Sequence, residues 1–487
     1  MARCHEMTLR ASTRRQTPKW MSLPAEIRLM ILDVIIQQKH PGWASLACVS
    51  KEWQGLIEKR NFGQLKLQVS CLDDFEHLVV RQRELVQHIW LDIELPRYSC
   101  RCCKMEESFS GMERNSSVIS SGIWKLFCVL SNWKTANGLT LELSAHSPSD
   151  SEHWFKHHSV SANGDTARVQ EANYSWHDPQ HGWVDGRLIK SPPEGAILRL
   201  FATTHLSFKQ ELPQLDGVTC FIIRRQLRRQ LSQSSLGLIL GKLRRLEHLI
   251  YESWRTLEGI HRINFEQVIQ KHFPQTLRRV SIFEDFNDSL STAINDTLLA
   301  LQLPVNTSRI GGSKIAAALA SKSLNLEHLS VSYMTSADDF FKACLPTWTW
   351  QRLQSLALTS GLLRRTESRQ DIEYLLYKAG STALQMPRLH TMVIWDGIKG
   401  NACAFIYHVN GEGANITWRS TWEMKLTPRV VKAWERVALE IHSYALQADK
   451  QQVHGIISSH GNAIYHLNLP CRVATPTSLW QMRKRRL

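Results

Sequence analysis

The sequence predicts a mixed α+β or α/β chain, in which a small helical module precedes a long run of short strands and helices. Two patterns predict it. Near the start, Ile27, Met30, Ile31, Val34 and Ile35 recur at i, i+3, i+4, i+7 and i+8, the apolar stripe of one helix. From about Leu65 onward a different pattern takes over, Leu-x-x-Leu-x-Leu, whose period of two marks a strand with one buried face.

The first helix begins at Pro24, which has no amide hydrogen to donate and so fits a first helical turn. Glu26 then places a negative charge at the positive end of the helix dipole. A Pro41-Gly42 turn follows, and Leu46, Val49, Trp53, Leu56 and Ile57 carry a second stripe. A helical hairpin of about 40 residues is near the lower limit for an independent core, so this much apolar surface calls for a partner.

The strand pattern recurs as Val86-x-x-Ile89-x-Leu91-x-Ile93, Leu246-x-x-Leu249-x-Tyr251, Leu277-x-x-Val280-x-Ile282 and Leu326-x-x-Leu329-x-Val331. Further copies are Leu353-x-x-Leu356-x-Leu358, Leu389-x-x-Met392-x-Ile394 and Ile464-x-x-Leu467-x-Leu469, with Leu139 to Leu143 and Val218 to Ile223 of the same sort. Helical segments at Ile263 to His272, Ala337 to Leu345 and Asp371 to Ala379 fit between copies. Units of near-constant length predict an irregular leucine-rich-repeat-like solenoid with parallel strands lining one face. An ordinary parallel α/β sheet built from the same units is the alternative. The longer gap before Leu329 predicts an extra helical insertion within 290–324. Ala404 to Val409 and Ile416 to Trp418 predict a hairpin through Asn410-Gly411 that caps the last sheet edge. A last long helix is expected from Pro428 to about Leu446.

At its N-terminus, Leu23-Pro24-x-Glu26-Ile27-x-x-x-Ile31-Leu32 followed by Leu46-Ala47-Cys48-Val49-Ser50-Lys51-x-Trp53-x-x-Leu56-Ile57 resembles an F-box. The match runs from about Trp20 to Leu67. F-boxes are three-helix modules that dock on the Skp adaptor of a Skp–cullin–F-box ubiquitin ligase. The resemblance implies that Leu23, Pro24, Ile27, Ile31, Leu32, Val49 and Trp53 contribute to docking or to the small core beneath it. The block from Gly397 through Trp422 to Ala438 resembles the C-terminal region of F-box proteins expanded in filamentous fungi, a region that carries no assigned chemistry.

Composition narrows the class. With 43% apolar residues and 8% aromatics the bulk is expected to be globular. No apolar run reaches the length of a membrane span, and Met1 to Lys19 lacks the apolar core of a secretory signal. An intracellular protein, cytoplasmic or nuclear, with reduced cysteines is therefore expected. The charge of +15 favours acidic partners. Arg483-Lys484-Arg485-Arg486 reads as a solvated end or an import signal. No phosphate-loop, dinucleotide-binding, zinc-protease or nucleophile-elbow motif occurs, and no enzyme, catalytic residue or cofactor is expected. Basic runs with interleaved aromatics are missing as well, which ranks nucleic acid below protein as a partner.

Two segments resist the pattern. Glu152 to Pro193, with His153, Trp154, His157, His158, Trp176, His177, His181 and Trp183, reads as a long surface excursion. Cys100-Arg-Cys102-Cys103 has the C-x-x-C spacing of half a zinc site. A closed site needs four ligands, and no second half lies nearby in sequence; His77, His88, Cys71 and Cys128 are the neighbours. Loop thiols without metal are the expected state.

The expected organisation is a disordered basic leader at 1–19, an F-box at 20–67 and the repeat domain at 68–475, followed by a basic tail at 476–487. The repeat domain carries the insertion at about 150–195 and the hairpin-plus-helix block at about 386–450. The resemblance implies a non-catalytic substrate-recognition subunit, bound through the Skp adaptor to a cullin and through the concave strand face, or the loops at its rim, to an unidentified protein target. Glu327, His328, Ser330, Ser332, Gln354, Ser355 and Thr359 are the candidate target contacts. A protein-binding scaffold outside any cullin ligase is the first alternative. An enzyme hidden around Trp395, Asp396 and Tyr407 is the second.

Overall fold

A computed structural model describes residues 20–38, 42–133, 138–156, 177–255, 265–286 and 307–484. The chain divides into two compact units, the first ending at Leu65 and the second starting at Lys66. The basic leader at 1–19, the import cluster beyond Lys484 and His157, His158 and Trp176 lie outside the described residues.

In the first unit, helix α1 (Ala25–Gln38) and helix α2 (Lys51–Gly63) are joined through a 3-10 segment, Trp43–Cys48. Gly42 turns the chain at φ 82°, a left-handed conformation that glycine adopts without strain. Ser50 caps α2 by accepting from the Trp53 amide at 3.4 Å. Glu52 ties the unit together: Arg28 Nε donates to it at 3.0 Å and Trp20 Nε1 at 3.2 Å. Those two hydrogen bonds, Arg28 first, hold its carboxyl below the ordinary range.

The second unit is a mixed α/β structure around one 12-stranded sheet, and its strands stand in sequence order from one edge to the other. They are β1 (Gln64–Leu67), β2 (His88–Glu94), β3 (Leu139–His146), β4 (Val218–Ile223), β5 (His248–Trp254) and β6 (Arg279–Asp285). The series continues with β7 (His328–Ser332), β8 (Ser355–Thr359), β9 (Thr391–Ile398), β10 (Asn401–Asn410), β11 (Gly413–Ser420) and β12 (Leu446–Gln452). The successive pairs from β2–β3 to β8–β9 are all parallel. The β9–β10 and β10–β11 pairs are antiparallel, and β12 adds to β11 in parallel.

The second apolar position of each sequence copy falls in one row across the sheet. Ile89, Leu141, Phe221, Leu249, Val280, Leu329, Leu356 and Met392 are successive register partners. This row and the next, two residues on, face the helices: Tyr251 stacks on Phe265, and Phe405 and Tyr407 pack on Trp434. The covering helices are α3 (Leu72–Leu78), α4 (Phe109–Ser131), α5 (Glu194–Leu200), α6 (Gln233–Leu240), α7 (Phe265–His272) and α8 (Thr307–Ser323). Then come α9 (Ala337–Ala343), α10 (Arg369–Ala383) and α11 (Pro428–His442), and from α6 to α11 each packs on the next.

The opposite face is covered too, by the C-terminal segment. Val393, Trp395, Ala404 and Ile406 share a core with Ala463, Ile464 and Leu467 of α12 (His460–Leu467) and Met482 of α13 (Pro476–Lys484). A Cβ on Gly397 would stand 2.5 Å from that of Ala463, so β9 and α12 approach this closely only because residue 397 is glycine. Buried polar groups fix the segment further. The Thr475 amide donates to Glu252 at 2.6 Å, the hydroxyls of Thr475 and Ser478 donate to the same carboxylate, and Arg225 and His460 meet on Asp285.

Four expectations are corrected here. Ile464 and Leu467 belong to helix α12 instead of a strand, and Leu469 lies just beyond its end, because an i, i+3 apolar pair suits either period. The hairpin β10–β11 does not end the sheet; β12 pairs beyond it, with polar residues on an exposed strand. α11 stops at His442, because Ser443 adopts φ 58° and frees the chain for β12. The basic tail forms α13 through Lys484, with Ser478 and Met482 fully buried. The insertion expected within 290–324 contains α8, whose described buried residues include Ile315, Ala316 and Leu319.

Candidate functional site

Each unit presents one candidate surface. In the first, α1 buries only Leu32 and Ile36 and leaves Ile27, Leu29, Met30, Ile31 and Val34 exposed. Val49, at the end of the 3-10 segment, is 61% exposed. Of the candidate adaptor residues, Pro24, Ile27, Ile31 and Val49 are therefore on the surface, and Leu32 is core. Leu23 and Trp53 are half-buried, the Trp53 ring lying 5.3 Å from that of Trp20.

In the second unit, the segments entering the central strands line a cleft of about 590 Å³. Cys220 and His248 come from the starts of β4 and β5, Arg278 and Arg279 from the start of β6, and Glu327, Arg352, Gln354 and Arg388 from the approaches to β7, β8 and β9. A smaller hollow of about 170 Å³ adjoins it, lined by His248, Arg279, His328, Ser330, Ser355 and Arg472 among others. Five of the seven candidate target contacts thus line these openings: Glu327, His328, Ser330, Gln354 and Ser355. Ser332 and Thr359 do not. Both are buried, and the Thr359 hydroxyl accepts from the Tyr333 amide at 2.7 Å. The C-terminal segment covers the face on which they were expected to project.

The cleft carries more cations than anions, Arg278, Arg279, Arg352 and Arg388 against Glu247 and Glu327. Among the described residues no acidic side chain forms an ion pair with Arg278, Arg279, Arg352, Arg388 or Arg472. Their field acts on the histidines. Burial, then Arg279, His328 and Arg472, push His248 down to about 4. Burial and Arg279 lower His328 as well, against the opposing charge of Glu327. Cys220 and His248 are register partners on β4 and β5, but burial pushes the thiol up to about 11, the opposite of an activated nucleophile. The cleft lies at the amino ends of the parallel strands, whereas open α/β sheets bind nucleotides at the carboxyl ends. What the arrangement can do is hold a negatively charged, extended group by several guanidinium contacts.

The sequence reading missed these arginines, although a signal was present. Arg352 and Arg388 immediately precede the first leucine of their strand copies, and Arg278 follows it, so three copies deliver a cation to one edge, while the Leu326 copy between them delivers Glu327.

The enzyme-like cluster proposed from sequence disperses. Trp395 packs in the C-terminal core, Tyr407 packs on Trp434 of α11, and Asp396 is tied to Arg364 at 3.0 Å. The Cys100 region behaves differently from expectation: His153 and His181 join Cys100 and Cys103, in place of His77, His88, Cys71 or Cys128. Within the described parts of the 150–195 excursion, Trp154 and Phe155 are buried in a core with Ile197 and Leu200, and His181 and Trp183 are buried too, while Ile189 and its neighbours stay exposed.

Compared with known proteins, residues 272–475 match the model of a family of unknown function, DUF6546. That segment runs from the end of α7 to the start of α13, less than half of the chain, and includes most of the cleft arginines. No F-box family model is matched. A search of the curated proteins finds no match. No helix among the described residues is long and apolar enough to cross a membrane.

Proposed function

We propose that the chain is the substrate-recognition subunit of a Skp–cullin–F-box ubiquitin ligase. One observation carries the reading: a small helical unit with an F-box-like sequence leaves Ile27, Met30, Ile31, Val34 and Val49 on its surface. A two-helix unit with so few buried residues gains most of its stability from a partner that covers that face. In this reading α1, the 3-10 segment and α2 are the three helical pieces of the F-box. The sequential strand order and the aligned apolar row support an irregular leucine-rich-repeat-like solenoid behind it.

The target meets the cationic cleft at the amino ends of β5 to β9, through an acidic segment that the unpaired arginines hold. The chain itself makes and breaks no bond. It raises the effective concentration of its target beside the ubiquitin-charged enzyme.

The test is capture of purified Skp adaptor and cullin by the full chain, beside a Pro24→Ala/Ile31→Asp variant. Both substituted residues are exposed, so folding is expected to survive. Capture of both partners by the wild type and loss in the variant support the ligase reading. Capture of the adaptor without the cullin shifts the assignment to a scaffold outside the ligase, and capture of neither removes the F-box assignment.

A further inference from the structure

The C-x-x-C segment after β2 folds as a single 3-10 turn, Cys100–Cys102, closed by the Cys103 amide donating to the Cys100 carbonyl at 3.2 Å. A turn of this kind puts both thiols on one side. They meet two imidazoles from distant parts of the chain. His153 follows the 3-10 turn Pro148–Ser151 at the end of β3, and His181 closes another, Pro179–His181, before Gly182 at φ 75°. One ligand atom from each of Cys100, Cys103, His153 and His181 lies within 4.8 Å of all the others.

The contacts inside this group are poorly explained by hydrogen bonding alone. Nε2 of His181 lies 3.2 Å from Cys100 Sγ and 3.4 Å from Cys103 Sγ, two weak partners crowding one nitrogen. Nε2 of His153 is buried with no hydrogen-bond partner. On its other side His181 is oriented: its Nδ1 lies 2.8 Å from Asp178 Oδ2, and the same carboxylate oxygen takes Lys156 Nζ at 2.8 Å. A carboxylate behind an imidazole fixes the tautomer that points Nε2 at a cation. Around the group stand Trp154, Phe155, Ile197 and Leu200, which keep water out.

We propose that Cys100, Cys103, His153 and His181 bind a zinc ion that fastens the His- and Trp-rich excursion to the segments following β2 and β3. Two thiolates and two imidazoles are a tetrahedral zinc set. Zinc–sulfur bonds of about 2.3 Å and zinc–nitrogen bonds of about 2.0 Å place neighbouring ligand atoms roughly 3.3–3.8 Å apart. The two sulfur–nitrogen distances from His181 already fall near that range. All four positions are taken by protein, so the ion is structural and leaves no open place for a substrate. Its binding releases two thiol protons to solvent and supplies the positive charge that two buried neighbouring thiolates require.

The test uses the untagged full chain, stripped with a chelator under reducing conditions, reloaded with zinc sulfate and desalted. About one tightly held zinc per chain is expected by elemental analysis, and cobalt(II) in its place should give the intense visible bands of a tetrahedral site with sulfur-to-metal charge transfer. Cys103→Ser should lose the ion, whereas Cys102→Ser and Cys128→Ser should keep it. Asp178→Asn should retain the stoichiometry but bind roughly 10–100-fold more weakly in competition with a chromophoric chelator. Folded wild-type protein that retains no zinc, or zinc retained equally by Cys103→Ser, overturns the proposal. Should Cys103→Ser fail to fold, the wild-type cobalt spectrum decides: bands without thiolate character, or none, overturn it equally.

Discussion

Helices α1 and α11 are 14 and 15 residues long, and both carry an apolar stripe, yet they end in opposite states. α11 buries Val430, Ala433, Trp434, Val437 and Ala438 against its own unit. α1 buries Leu32 and Ile36, which lie beside the stripe, and leaves Ile27, Met30, Ile31 and Val34 of the stripe itself exposed. An apolar stripe thus marks a packing face without saying whose. Where the unit is large enough to cover the stripe, it becomes core; where the unit is two helices, the stripe stays largely exposed.

Substitutions can break this contrast. The largest effect is expected at Trp434, whose indole packs on Phe405 and Tyr407 and donates to the Leu376 carbonyl at 3.1 Å. Trp434→Ala should lower stability by about 3–5 kcal/mol, read from the urea midpoint of the second unit. A midpoint unchanged within error would show that α11 is not core.

The polar clamp on the C-terminal segment comes next. Glu252→Ala strands the Thr475 amide and two hydroxyls, at about 1–3 kcal/mol, and should expose residues 475–484 to limited proteolysis. Glu252→Gln, which retains an acceptor for the amide, should restore most of the protection.

A further effect, absent at neutral pH, develops in acid. His248 falls from 6.5 unfolded to about 4 folded, so the unfolded chain binds the extra proton between those values. Its contribution is present in full above pH 6.5 and is lost as pH falls toward 4. His248→Asn should flatten the decline of stability across that window in denaturation curves taken at successive pH values; an unaltered slope would assign the decline elsewhere.

The smallest effect on folding sharpens the contrast from the other side. Ile31→Asp on exposed α1 should move stability by no more than about 0.5 kcal/mol. A loss of several times that would place Ile31 in a core after all.

Strand positions were legible because each copy repeats the same apolar spacing, and Val218 to Ile223 matches β4 residue for residue. Two things were hidden for a physical reason. The spacing Ile464-x-x-Leu467 satisfies helix and strand alike, and only the sheet face it packs on decides for α12. The partners of Cys100 and Cys103 lie some 50 and 80 positions further along the chain, where nothing local in sequence couples them. The target face was half legible: alternation put Ser330 and Ser332 on one side of β7, but which of them stays open depends on a segment more than 100 residues away.

The clamp on Glu252 also sets a timetable. β5 to β9 can stack in the order in which they leave the ribosome, each upon the one before it. Thr475, the group that satisfies Glu252, is 223 residues downstream. At about 5–20 residues per second, the carboxylate and the apolar rows beside it stay uncovered for roughly 10–45 s of translation. During that interval the nascent sheet offers one finished face and one unfinished face, and the unfinished one is where chaperones have most to hold.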